Sequence, residues 1–306
     1  MRDFESSELE DYFAEAAHLE DTEAMTEQGF KRFRRKHRPS PVQHQQQGRI
    51  DRSGSKAQPD VRSASVDDPD FRIQLPAPTP EPWELLRQVP LGVRRHILRR
   101  SSLISFFRDD PAAKQFDLLR TKLLKTLKER GWSRVAVVSP TSGCGTTFTA
   151  VNLALSLSRV PEIRTVLMDL NQRDPGVGSA LDIQAVGDMS GFLMGEIPME
   201  RHLVRCSDTL AVGIAAVPDR NAAEILHDPQ TADTLDHMHD ALHADVVLYD
   251  LPPLLEHDDL MAFLPQVDGV ILVADGHSTT AADLEACERV LDNQTQLLGV
   301  LLNRGR

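Results

Sequence analysis

Short apolar runs and helix-like stretches alternate along the chain from residue 111 onward. The runs are rich in Val, Leu, Ile and Ala and cover residues 134–139, 165–170, 210–217, 245–251, 269–276 and 297–303. Between them, apolar residues recur at helical spacing in residues 149–159, 231–243 and 280–291. Strands that are apolar throughout and separated by helices are typical of a parallel sheet covered on both faces. The sequence therefore predicts an α/β fold, a three-layer sandwich with a mostly parallel sheet.

A helix is predicted ahead of the first strand, over residues 111–130. Asp110 and Pro111 have the residue types of an N-cap and a first helical position, and Gly131 follows the last apolar residue of the pattern. We place the folded domain at residues 104–306.

Residues 1–103 have a different composition and are predicted to form a low-complexity, mostly disordered region. Nine of the 19 prolines lie between Pro39 and Pro90, and the apolar residues are too sparse to offset the entropy of ordering. Charge is segregated here, since residues 1–30 hold ten acidic side chains and one basic, whereas residues 31–62 hold ten basic and two acidic. The basic stretch fits contact with an anionic surface, and the alternative, which we favour, is a solvated linker that pairs loosely with the acidic stretch.

The overall charge and the cysteine content exclude several protein classes. A net charge of −12 disfavours binding to nucleic acid by the chain as a whole, and no sequence-specific nucleic-acid role is predicted. Three scattered cysteines fit a reducing compartment. The sequence shows neither a secretory signal nor an apolar run long enough to span a membrane, so we expect a cytoplasmic protein that reaches a membrane through a partner.

A glycine-containing loop follows the first strand and opens a helix. In this context backbone N–H groups and a helix N-terminus bind phosphate, and the full pattern requires Gly, Lys, then Ser or Thr. Here Gly145 is followed by Thr146 and Thr147, so the hydroxyl position is filled and the lysine position is not. Taken alone, the loop could also be an ordinary strand-to-helix turn.

Two aspartates strengthen the phosphate-site interpretation. Asp169 and Asp250 each end a predicted parallel strand, and such strands place their carboxyl ends at one edge of the sheet. Carboxylates at that edge commonly hold Mg²⁺ or its waters. Three strand ends converging on one crevice predict a nucleotide site in a fold of the P-loop NTPase type.

The loop and four later segments, in this order, resemble the kinase domain of bacterial tyrosine kinases (BY-kinases) of capsule and exopolysaccharide assembly. The segments are DLNQRDP, NAAEIL, YDLPPLLEHDD and HSTTAADLE. The resemblance covers about residues 104–306 and places the chain within the MinD/ParA group of P-loop ATPases. It implies ATP or ADP with Mg²⁺ as cofactors, a membrane chain-length regulator as activating partner, and a possible homo-oligomer.

The resemblance also implies roles for individual residues. The nucleotide-binding loop corresponds to Gly143, Cys144, Gly145, Thr146, Thr147 and Phe148. Thr147, Asp169 and Asp250 correspond to the magnesium-linked residues, and Asp169 could also assist proton removal from an acceptor tyrosine. Arg173 matches the basic residue of the motif that Asp169 begins. These three polar residues, Asp169, Asp250 and Arg173, are the candidate catalytic set.

Departures from the family pattern leave three functions open. Thr146 replaces the phosphate lysine, Asn171 replaces a second Asp, and a Glu-x-x-Arg-x-x-Arg oligomerisation pattern survives only as Lys114, Asp117 and Arg120. The chain is therefore predicted to be a BY-kinase-like nucleotide-binding protein, active or degenerate. The alternatives are a non-catalytic regulator that docks on a membrane partner and a MinD/ParA-like ATPase, which the lack of both expected loop lysines disfavours.

Overall fold

A computed structural model describes residues 80–91, 103–106, 110–184, 187–257, 260–261, 263–292 and 294–305. The acidic stretch 1–30, the basic stretch 31–62 and Asp259 of the segment YDLPPLLEHDD lie outside the described residues. The disorder expected for residues 1–103 stays a prediction.

All six predicted strands form, and two short strands join them. The described strands are β1 (Arg87–Gln88), β2 (Arg134–Val138), β3 (Thr165–Asp169), β4 (Leu203–Arg205), β5 (Leu210–Gly213), β6 (Val246–Asp250), β7 (Gly269–Asp275) and β8 (Gln296–Asn303). They form one sheet in the order β1-β4-β5-β3-β6-β2-β7-β8. Every neighbouring pair is parallel except β4 and β5. The predicted α/β fold with a mostly parallel sheet is confirmed.

The helices connect successive strands, and the longer ones were predicted. They are α1 (Pro82–Leu85), α2 (Pro111–Arg130), α3 (Thr146–Leu157), α4 (Val177–Leu181), α5 (Met189–Leu193), α6 (Met199–His202), α7 (Ala222–His227), α8 (Pro229–Leu242) and α9 (Ala281–Leu291). At the start of α2 the Asp110 carboxylate accepts the Ala112 N–H at 2.8 Å. Gly131 ends the helix in the left-handed conformation, with φ of 66°. Both predicted ends of α2 are therefore confirmed.

Side chains on both faces of the central strands are buried. Val135 and Val137 of β2 pack into a core that includes Leu123 and Leu127 of α2 and residues of α3. The alternate residues of the same strand are equally buried, and on β6 the Tyr249 ring packs edge-on against Phe263 at 5.2 Å. Burial on both faces explains why the central strands are apolar throughout. Among the described residues, no helix is both long and apolar enough to cross a membrane.

A short segment upstream of residue 104 also packs on this sheet, which the sequence had not indicated. Trp83 of α1 is 2% exposed, and its indole N–H donates to the Asp208 carbonyl at 3.1 Å. The guanidinium of Arg164 lies 5.4 Å from the centre of the Trp83 ring. Strand β1 then pairs with β4 at the sheet edge. Trp83 therefore packs this segment onto the domain.

The remnant of the oligomerisation pattern on α2 contacts the chain's own α3. Arg120 Nη1 lies 3.2 Å from Asp117 Oδ1 and donates to the Ser156 carbonyl at 3.0 Å. Arg159 pairs with the same Asp117 carboxylate and donates to the Ser105 carbonyl. These two arginines therefore help to hold α2 against α3, and a homo-oligomer stays a prediction.

Candidate functional site

A cavity of about 250 Å³ lies at the carboxyl edge of the sheet, where the loops after β2, β3 and β6 meet. Fourteen residues line it, and they are Ser139, Ser142, Gly143, Gly145, Thr146, Thr147, Phe148, Asn171, Arg173, Asp174, Gly176, Leu251, Pro253 and His257. The structure thus confirms that three strand ends converge on one crevice. Ligands of doubly wound sheets bind at this edge.

The loop between β2 and α3 has a backbone that depends on two glycines. Gly143 and Gly145 have φ of 82° and 96°, in the left-handed region. A Cβ on Gly145 would also lie 2.2 Å from Asn303 Nδ2, because this amide donates to the Cys144 carbonyl at 2.8 Å. Helix α3 begins at Thr146, directly after the second glycine. The loop therefore presents a helix N-terminus to the cavity, as phosphate binding requires.

Thr146, in the position where the pattern requires lysine, closes the loop internally. Its hydroxyl donates to Ser139 Oγ at 2.8 Å, and the Ser139 hydroxyl donates to the Thr141 carbonyl at 2.9 Å. The two ends of the loop are thereby joined by side-chain hydrogen bonds. This position contributes no positive charge to the cavity.

A second contact ties the loop to the segment after β6. Glu256 Oε1 accepts the Ser142 backbone N–H at 2.8 Å, and Glu256 Oε2 accepts the Ser142 hydroxyl at 2.5 Å. These hydrogen bonds lower the pKa of Glu256. An ionised carboxylate therefore occupies donors of the glycine loop.

Asp169 and Asp250 are buried side by side beneath the loop. They are register partners on the adjacent parallel strands β3 and β6, and both are 0% exposed. Asp169 Oδ2 accepts the Val177 N–H at 3.1 Å. Asp169 Oδ1 and both carboxylate oxygens of Asp250 have no hydrogen-bond partner among the described residues. Three buried oxygens are thus left for a ligand.

Burial shifts the protonation of both carboxyl groups. Desolvation raises the pKa of Asp250 to about 7, and nearby Asp174 raises it further, while the Thr147 side chain partly offsets the rise without completing a hydrogen bond. Desolvation and the charge of Asp250 raise the pKa of Asp169 well above its usual value, against three backbone N–H groups that lower it. At neutral pH the pair favours holding a proton or a cation.

The donor set fits Mg²⁺. Orphaned carboxylate oxygens next to a threonine hydroxyl are the hard oxygen ligands that this ion takes. In the part of the chain that the structure describes, no group of three or more His, Cys, Asp or Glu side chains is arranged for a metal. Mg²⁺ needs no such group, because it is usually held by one or two carboxylates with water and substrate phosphates.

The other predicted site residues differ in how they meet the cavity. Arg173 and Phe148 both line it, and the Phe148 ring also packs edge-on against Phe116 at 5.9 Å. Cys144 is buried, and its sulfur lies 3.6 Å from Thr141 Oγ1 and 3.7 Å from Thr279 Oγ1, away from the cavity lining. Cys144 therefore contributes backbone rather than a reactive thiol to the loop. The ligand and catalytic roles of all these residues stay predictions.

Sequence reasoning missed three residues at this site. Asp174 lines the cavity and acts on the Asp250 carboxyl, Asn303 braces the loop, and Glu256 binds Ser142. Asp174 was within reach of the sequence, because it lies in the same motif as Asp169 and Arg173. Glu256 likewise lies in a quoted segment, YDLPPLLEHDD, whereas Asn303 is the last residue of β8 and no local pattern marks it.

Comparison with known proteins supports the family resemblance. The chain is 24% identical over 194 residues to the tyrosine-protein kinase YwqD of Bacillus subtilis (strain 168), a match that covers 62% of this chain and 80% of the relative. No family model matches the chain.

Solved kinase domains have the same architecture. The chimerical protein CapA2B2 gives a TM-score of 0.61 at 20% identity, covering 67% of this chain and 90% of its own. The kinase domain of the Escherichia coli tyrosine kinase ETK gives 0.60 at 19% identity, covering 67% and 82%. The BceF tyrosine kinase domain gives 0.59 at 21%, covering 71% and 91%. This chain has the fold of a bacterial tyrosine-kinase domain. The resemblance inferred from the motifs is confirmed.

Proposed function

We propose that the chain is a BY-kinase-like, Mg-nucleotide-binding component of exopolysaccharide or capsule synthesis and export, which phosphorylates protein tyrosines with ATP. The observation that carries this proposal is the pair Asp169 and Asp250, with three unpartnered buried oxygens directly beneath a glycine loop. Burying carboxylate oxygens without hydrogen-bond partners costs free energy, so such oxygens at two neighbouring strand ends favour a ligand-binding role.

The residues of the site would divide the work as follows. The loop N–H groups and the N-terminus of α3 would hold the phosphates, while Thr147, Asp169 and Asp250 would hold the metal. Bound Mg²⁺ supplies neutralisation of charge on the transferred phosphoryl group. Asp169, whose pKa is raised, is suited to accept the phenolic proton of an acceptor tyrosine. Arg173 is the cation of this cavity that would substitute for the missing lysine.

Because position 146 holds threonine where the family pattern has lysine, catalysis is weakened more than nucleotide binding. One charge-assisted hydrogen bond contributes about 1.5–3 kcal/mol, so its loss lowers nucleotide affinity by roughly ten- to a hundredfold. Phosphoryl transfer depends further on cations placed against charge that develops in the transition state. The active-kinase proposal therefore requires that Arg173 or the metal provides this charge.

One observation favours a second candidate, a non-catalytic regulator. The hydroxyl of Thr146 donates to Ser139, so the lysine position serves to close the loop and not to contact a phosphate. In this alternative the domain docks on a membrane chain-length regulator, and residues 31–62 contact an anionic surface. Both candidates place the protein in the cytoplasm, at the membrane through its partner.

Calorimetry on the full chain with Mg-ADP and Mg-ATP tests the nucleotide site. Sub-millimolar binding that Asp250→Asn abolishes supports the site, whereas equal heats for the two proteins contradict it. Incubation with Mg-ATP in membranes that contain the chain-length regulator, followed by phosphotyrosine detection, tests catalysis. A signal for the wild type supports the kinase. No signal, together with a gain for Thr146→Lys, assigns the wild-type chain to the regulator.

A further inference from the structure

Glu256 makes a two-oxygen contact with the glycine loop. One carboxylate oxygen accepts the backbone N–H of Ser142 and the other accepts its hydroxyl, at 2.8 and 2.5 Å. Backbone N–H groups of such loops are the donors that bind phosphate oxygens. A carboxylate that bridges two donors occupies them as two oxygens of a phosphate group would.

Backbone hydrogen bonds just before Glu256 place this residue beside the loop. The segment after β6 runs along the first arm of the loop, with hydrogen bonds from Leu251 N to Val137 O at 3.2 Å, from Leu254 N to Ser139 O at 2.8 Å and from Leu255 N to Pro140 O at 3.1 Å. Glu256 is the next residue. The backbone therefore holds Glu256 next to Ser142, and its exposed carboxylate reaches both donors of that residue.

The contact lies on the arm of the loop farther from α3. Inner phosphates of a bound nucleotide meet the N–H groups at the start of the helix, from Gly145 to Thr147. Ser142 lines the cavity and precedes this helix by several residues, so the terminal phosphate of a longer nucleotide would be the one to approach it. Glu256 carries a negative charge at neutral pH, as glutamate ordinarily does, and the Ser142 hydrogen bonds lower its pKa further.

We propose that Glu256 is an internal competitor of the terminal phosphate, so that the site favours a nucleoside diphosphate over a triphosphate until Glu256 leaves Ser142. This inference rests on the proposed nucleotide site. It adds a selectivity that the site residues alone do not have. Triphosphate binding is then coupled to movement of the segment after β6, which carries Pro253 and His257 into the same cavity.

The test is calorimetry of the full chain with Mg-ADP and with Mg-ATP, for wild type, Glu256→Gln and Glu196→Gln. Glutamine keeps an acceptor for the Ser142 donors and removes the charge. Glu196 is exposed and does not line the cavity, so its variant controls for the loss of one surface charge. We expect Glu256→Gln to tighten Mg-ATP about tenfold, which is about 1.4 kcal/mol, and to leave Mg-ADP within about twofold. Glu196→Gln should change neither.

Three results would overturn the proposal, and they differ in what else they affect. An unchanged ratio of ATP to ADP affinity in Glu256→Gln removes the competitor role and leaves the nucleotide site in place. A fall in both affinities with a lower unfolding temperature of the unliganded variant makes Glu256 a brace of the loop. If none of the three proteins binds either nucleotide, and Thr146→Lys does not bind them either, the proposed nucleotide site itself is wrong.

Discussion

Asp169 and Asp250 end the adjacent strands β3 and β6 as register partners, and both side chains are fully buried. Two carboxylates in this arrangement repel each other and lose hydration, so both favour the protonated form. The glycine loop above them supplies the Thr147 hydroxyl and backbone N–H groups. The relationship between these two residues therefore links the stability of the domain to the charge of whatever binds it.

The first prediction is that the unliganded protein loses stability as the pH rises from about 5 to 8. The pKa of Asp250 is raised in the folded state to about 7, so the folded protein binds more protons than the unfolded chain over this range, and stability falls as the pH increases. Asp250→Asn removes the titrating group. In metal-free buffer, the unfolding temperature of the variant should depend less on pH than that of the wild type. Other titrating groups are common to both proteins, so their contributions cancel when the two curves are subtracted.

Two outcomes bear on this prediction. A variant that is more stable than wild type at pH 8 and similar at pH 5 agrees with it. Parallel pH curves for the two proteins would show that the Asp250 carboxyl is not the group that titrates.

Thr147 provides a second prediction, on the metal. Its hydroxyl is predicted to bind the metal, and its side chain lowers the pKa of the Asp250 carboxyl. Thr147→Val keeps the shape and removes the oxygen, so we expect at least about a tenfold loss of nucleotide affinity in the presence of Mg²⁺ and little change without it. Thr147→Ser is the matched control and should retain binding. Calorimetry with and without a chelator measures both, and an equal loss in the two conditions would contradict a metal role.

The third prediction concerns where the folded unit begins. Trp83 is buried and hydrogen-bonded to Asp208, so Trp83→Ala should lower the free energy of unfolding by about 3–5 kcal/mol. Trp132→Ala, at a partly buried ring that stacks on Arg130, should cost less. Denaturant unfolding also distinguishes two truncations. A chain that lacks residues 1–103 should lose the stability that Trp83 provides, whereas one that lacks residues 1–78 should keep it.

How far the fold could be predicted depended on burial. Strands β2, β3, β5, β6 and β7 are buried on both faces, which leaves a continuous apolar pattern in the sequence, and the edge strand β8 has a similar apolar run. Strands β1 and β4 have only two and three residues, and both residues of β1, Arg87 and Gln88, are exposed. No sequence pattern therefore predicts these two strands. Helices α4, α5 and α6 are likewise too short to show a period of 3.6 residues.

The candidate site divides in the same way. Gly145, Thr147 and the strand-end aspartates are local signals, because each has a fixed place relative to one strand. The pairing of Glu256 with Ser142 joins residues 114 positions apart, and it depends on how the segment after β6 runs beside the loop. The bond from Thr146 to Ser139 shows the same limit at shorter range. The sequence reports that the lysine is absent, and only the fold shows what the threonine hydroxyl contacts.

The last prediction identifies the tyrosine that an active enzyme would modify on its own chain. The sequence contains two tyrosines, Tyr12 and Tyr249. Tyr249 is 1% exposed in β6, where desolvation raises the pKa of its hydroxyl, and its ring packs against Phe263. A phosphoryl group cannot reach it in the folded domain. Phosphotyrosine formed on the chain with Mg-ATP should therefore fall on Tyr12, which lies outside the described residues.

Mass spectrometry after incubation with Mg-ATP and the membrane partner measures this directly. Tyr12→Phe should abolish the signal, and Tyr249→Phe should leave it intact. Phosphate found on Tyr249 of a folded protein would contradict the burial argument, because it requires β6 to open. Phosphotyrosine on another protein, with none on this chain, would support kinase activity. It would also show that the enzyme does not phosphorylate Tyr12.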